Sequence, residues 1–148
     1  MTTGQDIVHE DIISAEVAQV YAAAATQAGI KGWWNTRAQV AETVGKESHM
    51  FFNKEGNEIE MVFRVDELKE NARVAWTCTG NANPYWIGSK ISFEMNATDE
   101  GTEFRFIHDS LNPDAFSPEM HAMIQQGWAH FMNSFKSWCE TGIGQPWG

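Results

Sequence analysis

Between residues 46 and 111 the chain alternates apolar and polar side chains, and from residue 118 the apolar period becomes helical and holds to about residue 140. Few architectures satisfy both halves. A sheet with one apolar face needs a partner layer, and a single long amphipathic helix needs a surface for its stripe, so each solves the other's burial problem. The alternation is clearest in EIEMVFRV, residues 58–65, where Ile59, Met61, Phe63 and Val65 share one face and Glu60 and Arg64 the other. KESHMFFN (46–53) precedes it, and RVAWTCT follows with Val74, Trp76 and Cys78 together. WIGSKISFEM groups Ile87, Ser89, Ile91, Phe93 and Met95, and TEFRFIHDS groups Phe104, Phe106, His108 and Ser110. Short polar connections such as KEGN and TDEG join these segments, which predicts an antiparallel meander.

The helix opens at Ser117–Pro118, a cap followed by a proline whose missing N–H costs nothing in the first turn. Met120, Ile124, Gly127, Trp128, Phe131, Phe135 and Trp138 mark one face over ~34 Å. Gly127 costs about 1 kcal/mol against alanine there, so close packing or room for a cavity must account for it. Gly142 suits a left-handed stop, and Pro146 prevents resumption. At the other end, QDIVHEDII (5–13) reads as a first strand, Ser14 as a cap, and 15–27 as a helix with Val17, Val20, Tyr21, Ala24 and Ala25 in phase. Gly29 and Gly32 are expected to end that helix and present Trp33 and Trp34 in a short turn. With the first strand, about six strands are expected, in the α+β class.

A chain of 148 residues is one domain's length, taken here as 1–148, and buries about two-thirds of its unfolded surface. No apolar run reaches the roughly 18 residues a membrane span needs. The opening residues carry acids where an export signal needs bases, so a cytosolic protein is expected. Cys78 and Cys139 have no metal-type spacing and read as reduced buried thiols. Twenty acids against ten bases give a net charge of −10, which disfavours nucleic acid and anionic membranes. Seven tryptophans suit a bulky core or a cavity wall.

Three stretches together, GIKGWWN after the first helix, FRFIHDSL on the last strand, and GWAHFMNSFKSWCETGIGQPW at the end, carry a family resemblance. The chain resembles the SRPBCC (START-like, Bet v 1-like) superfamily, in the branch similar to the C-terminal domain of the activator of Hsp90 ATPase. That resemblance implies a helix-grip fold, with the sheet curved around the last helix and a hydrophobic cavity between them. It also implies a histidine at position 108 as part of the common framework. Members include lipid carriers, cyclases, hydrolase-like enzymes and co-chaperones, so activity must be argued from the site.

His108 shares a strand face with Phe104 and Phe106 and should point inward. Three readings stand: a neutral, hydrogen-bonded structural histidine, an orienting contact for a ligand, or a general acid or base. Asp109 faces the other way and cannot orient it. His121 and His130 lie nine residues apart on opposite sides of the helix, and no HExxH or similar spacing exists, so neither a metal nor another cofactor is expected. Ser89 and Ser110, both expected inward, have no nucleophile-elbow context. Trp33 and Trp34 are either core or a lid with one ring partly out.

The leading expectation is a non-catalytic binding module for a small apolar or amphipathic molecule, held in a small cavity. Its lining is expected from Trp33, Trp34, Met61, Phe63 and Trp76, with Ile91, Phe93, Phe104 and Phe106 on the later strands. Ile124, Trp128 and Phe131 would supply the helix side, and Tyr85, His108 and Ser110 the polar anchors. A cyclase- or hydrolase-like enzyme using the same pocket is one alternative; a co-chaperone whose partner is an Hsp90-type chaperone is another.

Overall fold

The computed structural model describes residues 6–81 and 83–147. Six antiparallel strands form one curved sheet in the order β1-β6-β5-β4-β3-β2. They are β1 (Ile7–Ile13), β2 (Glu47–Lys54), β3 (Asn57–Lys69), β4 (Arg73–Gly80), β5 (Lys90–Thr98) and β6 (Gly101–Asp109). β2 to β6 are the expected meander. β1 closes against the last strand, with Ile7 opposite His108 and Ile13 opposite Thr102. Position 5 of the expected first strand lies outside the described residues.

Three helices cover the concave face: α1 (Val17–Ala25), α2 (Gln27–Trp33) and the long α3 (Pro118–Thr141). This is the helix-grip architecture. Helix α3 begins and ends as its sequence dictates. Ser117 Oγ accepts the Met120 N–H at 3.4 Å, and Gly142 closes the helix at φ 80°, where a side chain would be strained.

The first helical region departs from expectation. Ser14 does not cap α1; its N–H reaches across to Glu140 instead (2.8 Å). The cap position is Glu16, whose N–H is accepted by the Gln19 side chain (3.3 Å). The single expected helix breaks at Thr26, which ends α1 and caps α2 by accepting the Gly29 N–H at 3.1 Å. Gly29 and Gly32 therefore lie inside a helix. Their reason is close approach: a Cβ on Gly29 would stand 2.4 Å from the Ala22 carbonyl, and one on Gly32 would strike the Trp138 ring at 2.5 Å.

Two further corrections concern strand ends. Trp86, Ile87 and Gly88 belong to a turn before β5, not to the strand, and Ile87 is exposed. Ser110 sits at φ 60° beyond β6 and is exposed, with its hydroxyl bonded to Asp109, so it does not share the inward face. Among the described residues no helix is long and apolar enough to cross a membrane.

Candidate functional site

The aromatic side chains pack as two connected groups. One is plain core. Phe135 of α3 lies 4.6 Å from Phe104 and meets Trp33 edge-on at 5.0 Å, with Phe93 alongside at 6.0 Å. Trp33 is fully buried and donates its indole N–H to the Ala23 carbonyl (2.8 Å). The other group surrounds Trp34, whose ring lies 5.2 Å from Trp128 and 5.7 Å from Phe63 and stacks on Trp76 at 6.2 Å. Trp34 is 2% exposed, so neither ring is partly out as the lid alternative would require. Both rings are interior.

An open pocket of about 280 Å³ adjoins the second group. Its floor on the helix side is Ile124, Gly127, Trp128 and Phe131; Phe52, Ile59 and Met61 form the sheet side. The β2–β3 register explains that wall, since Phe52 pairs with Ile59 and Met50 with Met61 on one inward face. Trp86, Asn81 and Asn83, from the segment between β4 and β5, make a third side. Gly127 is open to it: a Cβ there would meet nothing within 4 Å, so close packing does not explain this glycine, and room does.

Trp147 closes the fourth side. The segment after α3 folds back, and the Trp147 N–H donates to the Trp34 carbonyl (2.8 Å). The buried Asn35 amide clamps it, donating to the carbonyls of Trp147 and Phe51 (both 2.8 Å) while its oxygen accepts the Phe51 N–H (3.1 Å). Gly144 is required on the way, because a Cβ would stand 2.3 Å from the Gly32 carbonyl. The indole packs on Phe52 at 5.4 Å and remains 49% exposed. Met123, 59% exposed, stands at the same mouth.

His108 lies behind this wall. It is fully buried, with its ring 4.6 Å from Trp86 and 5.9 Å from Trp128, both of which line the pocket. An indole N–H can only donate, so the Trp128 Nε1–H to His108 Nδ1 bond (3.0 Å) puts the imidazole proton on Nε2. That proton is donated to Ser89 Oγ (2.9 Å), whose hydroxyl donates to the Trp86 carbonyl (2.6 Å). The Trp128, His108 and Ser89 side chains thus satisfy one another in a single relay. Burial, with His121 adding to it, lowers the imidazole pKa to about 3, so the ring is neutral at pH 7.

Of the residues expected at the site, Trp34, Met61, Ile124, Trp128 and Phe131 line the pocket. Trp33, Phe63, Trp76, Ile91, Phe93, Phe104 and Phe106 are buried core outside its lining. Tyr85 is buried, with its hydroxyl 2.7 Å from His121 Nδ1, and Ser110 is exposed elsewhere. Phe52, Lys54, Trp86 and Trp147 were not foreseen. Phe52 is two residues from Met50 on the same strand face, a relation that alternation carries, whereas nothing local announces that Trp147 returns to Trp34.

A family model described as Activator of Hsp90 ATPase homolog 1-like protein matches residues 14–140. The chain belongs to this family. A solved relative, described as the Aha1 dimer from Colwellia psychrerythraea, is 31% identical with a TM-score of 0.76, over 94% of this chain and 98% of that one. The AHSA1-like protein from Aeromonas hydrophila shares the fold at 18% identity and a TM-score of 0.69, over 90% of each chain. A Staphylococcus aureus protein does so at 16% and 0.74, over 93% of this chain and 94% of that one. No curated protein sequence matches.

Family membership does not assign chemistry to the pocket, and the residues present limit it. Among the described residues Lys54 is the only ionisable side chain in its lining. Among the described residues no group of three or more His, Cys, Asp or Glu could hold a metal. Both cysteines are free and buried, and burial raises their pKa values to about 11 (Cys78) and about 12 (Cys139), far from nucleophilic thiolates.

Proposed function

We propose that this chain is a binding module that takes a small apolar molecule into the pocket between α3 and the β2–β3 hairpin. The observation that carries the reading is Gly127. It interrupts a long helix at a cost of about 1 kcal/mol, no neighbour requires it, and its bare face opens into the one space walled by Trp34, Trp128, Phe131 and Trp147. A ligand burying about 200 Å² of apolar surface there gains about 5 kcal/mol before association costs, which suits modest affinity for a compact molecule. An acid–base enzyme is less well supported: such chemistry needs paired ionisable groups facing substrate, and His108 has both ring nitrogens engaged behind the wall. The two buried free thiols support work in the reducing cytosol.

The test is titration with the neutral fluorophore N-phenyl-1-naphthylamine, comparing wild type with Gly127→Phe, whose ring would occupy the space. Saturable binding that falls at least about tenfold in the variant, with the fold intact by circular dichroism, is the expected result. Undetectable binding to wild type, or equal binding to both proteins, overturns the reading.

A second reading follows from the family description: a protein partner of the Hsp90 type, for which the exposed Met123 and Trp147 would be the contact. Co-sedimentation with an Hsp90 and an assay of its ATPase rate decide it. An unchanged rate and no complex at micromolar concentration remove it.

A further inference from the structure

Lys54 gives the pocket a chemical polarity that its apolar lining alone does not have. Ser48, Met50 and Phe52 are successive inward, buried positions of β2, and Lys54 is the next position on that same face. One strand step of two residues, about 6.7 Å, carries it from Phe52 on the wall toward the mouth. An inward row that turns from apolar to cationic at its open end is the arrangement that suits an amphipathic guest.

Three observations specify the sign of that guest's polar group. Among the described residues the lysine is the sole ionisable side chain lining the pocket. Among the described residues it forms no ion pair: its cross-strand partner is Asn57, and Glu58, opposite Asn53, is held by Arg37 at 2.7 Å. The remaining polar groups at the rim are the amides of Asn81 and Asn83. The Asn81 and Asn83 oxygens already accept backbone N–H groups, from Asn83 (2.8 Å) and Tyr85 (3.0 Å). Asn83 Nδ2 directs one N–H to Met120 Sδ at 2.9 Å, and the Asn81 side chain also hydrogen-bonds the Cys78 thiol, so Lys54 is the group at the rim with charge to offer. Among the described residues the rim thus offers positive charge and no carboxylate.

We infer that the occupant of this pocket is an apolar monoanion: a compact hydrocarbon or aromatic body seated against Trp34, Trp128 and Phe131, with a carboxylate or sulfonate at the mouth beside Lys54. The inference rests on the pocket being a ligand site. The net charge of −10 does not forbid it, because exposed charges beyond about 8 Å are screened at physiological ionic strength while a contacting ammonium is not. Lysine's flexible stem can lie along the apolar wall and keep its charge at the opening.

The two halves separate with paired probes. 8-Anilinonaphthalene-1-sulfonate and N-phenyl-1-naphthylamine have the same ring body and differ by the sulfonate. Each is titrated into wild type, Lys54→Gln, Lys54→Glu and Gly127→Phe. Lys54 is exposed, so its variants keep the fold. The expected result is that Lys54→Gln weakens the sulfonate about threefold and Lys54→Glu weakens it further, in each case by more than the same substitution weakens the neutral probe. The sulfonate's advantage should also shrink in about 0.5 M salt. If both probes bind and Gly127→Phe blocks both, yet the Lys54 variants bind the sulfonate like wild type, the anion inference is overturned and the pocket reading stands. If Gly127→Phe blocks neither probe, or neither binds wild type, both are overturned.

Discussion

The indole N–H of Trp128 points at Nδ1 of His108 across 3.0 Å, and this one contact fixes the tautomer of a fully buried histidine on the sheet's inner face. With Nδ1 accepting and Nε2 donating to Ser89, the imidazole has no lone pair or proton to offer the pocket. What it does is mechanical. It ties Trp128 of α3 to the turn that carries Trp86, through Ser89 and the Trp86 carbonyl, and so sets the spacing of two pocket walls that approach from different elements.

That role makes folding stability sensitive to acid. The His108 pKa is about 3 in the folded chain and about 6.5 in the unfolded chain, so between these values the unfolded state holds the extra proton. Stability therefore falls as pH drops below 6.5, by about 1.4 kcal/mol per pH unit from this group alone, or about 2 kcal/mol by pH 5. His108→Gln can still accept from Trp128 and donate toward Ser89 but cannot titrate. Urea unfolding at pH 7, 6 and 5 should show the wild-type slope reduced in the variant by about that amount. His9, also lowered by burial, is present in both proteins and cancels in the difference. Parallel profiles would exclude His108 as the source.

The strap that ends in Trp147 hangs on Asn35. Asn35→Ala removes an amide that serves both Phe51 and Trp147, leaving backbone groups of β2 without partners in a buried setting. A loss of about 2–3 kcal/mol is expected, because an unsatisfied buried polar group costs about 1–3 kcal/mol. Gly144→Ala attacks the same strap from its other end, by the clash with the Gly32 carbonyl. Acrylamide quenching of tryptophan fluorescence should rise in both variants as Trp147 loses its seat against Phe52. Quenching equal to wild type in both would mean that the strap does not depend on these two residues.

Much of this architecture is legible in the residues because burial is periodic. Met50–Phe52, Ile59–Val65 and Phe104–His108 alternate, α3 repeats at helical spacing, and Ser117 and Gly142 punctuate it with local chemistry. The inward direction of His108 follows from the same rule. The misreadings share a cause too, since each depends on a partner distant in sequence. Gly29 and Gly32 look like breakers until the close approach of α1 and Trp138 gives them a packing role. Ser110 leaves its strand face because the chain turns at φ 60°. Alternation assigns Phe63, Phe93 and Phe106 to the inner face, as it does Met61. It does not tell which of them the helix covers and which it leaves facing a gap. The pocket forms where α3 stands away from the β2–β3 hairpin, a tertiary distance with no local signature.

Gly127 connects stability to binding. Alanine at a helix interior is favoured over glycine by about 1 kcal/mol, and here the added methyl meets no atom within 4 Å. Gly127→Ala should therefore raise the thermal midpoint by about 3 °C, which follows from that energy for a domain of this size. A methyl group occupies only a small part of a pocket of about 280 Å³, so the alanine variant should bind N-phenyl-1-naphthylamine within a few-fold of wild type. Gly127→Phe should lose it while keeping at least wild-type stability, its ring being buried against Trp128 and Phe131 in place of a guest. Calorimetry and titration on the pair distinguish this from a packing role for the glycine. If either substitution lowers the midpoint by several degrees, the helix has no room at that position, and the space ascribed to a ligand is closed in solution.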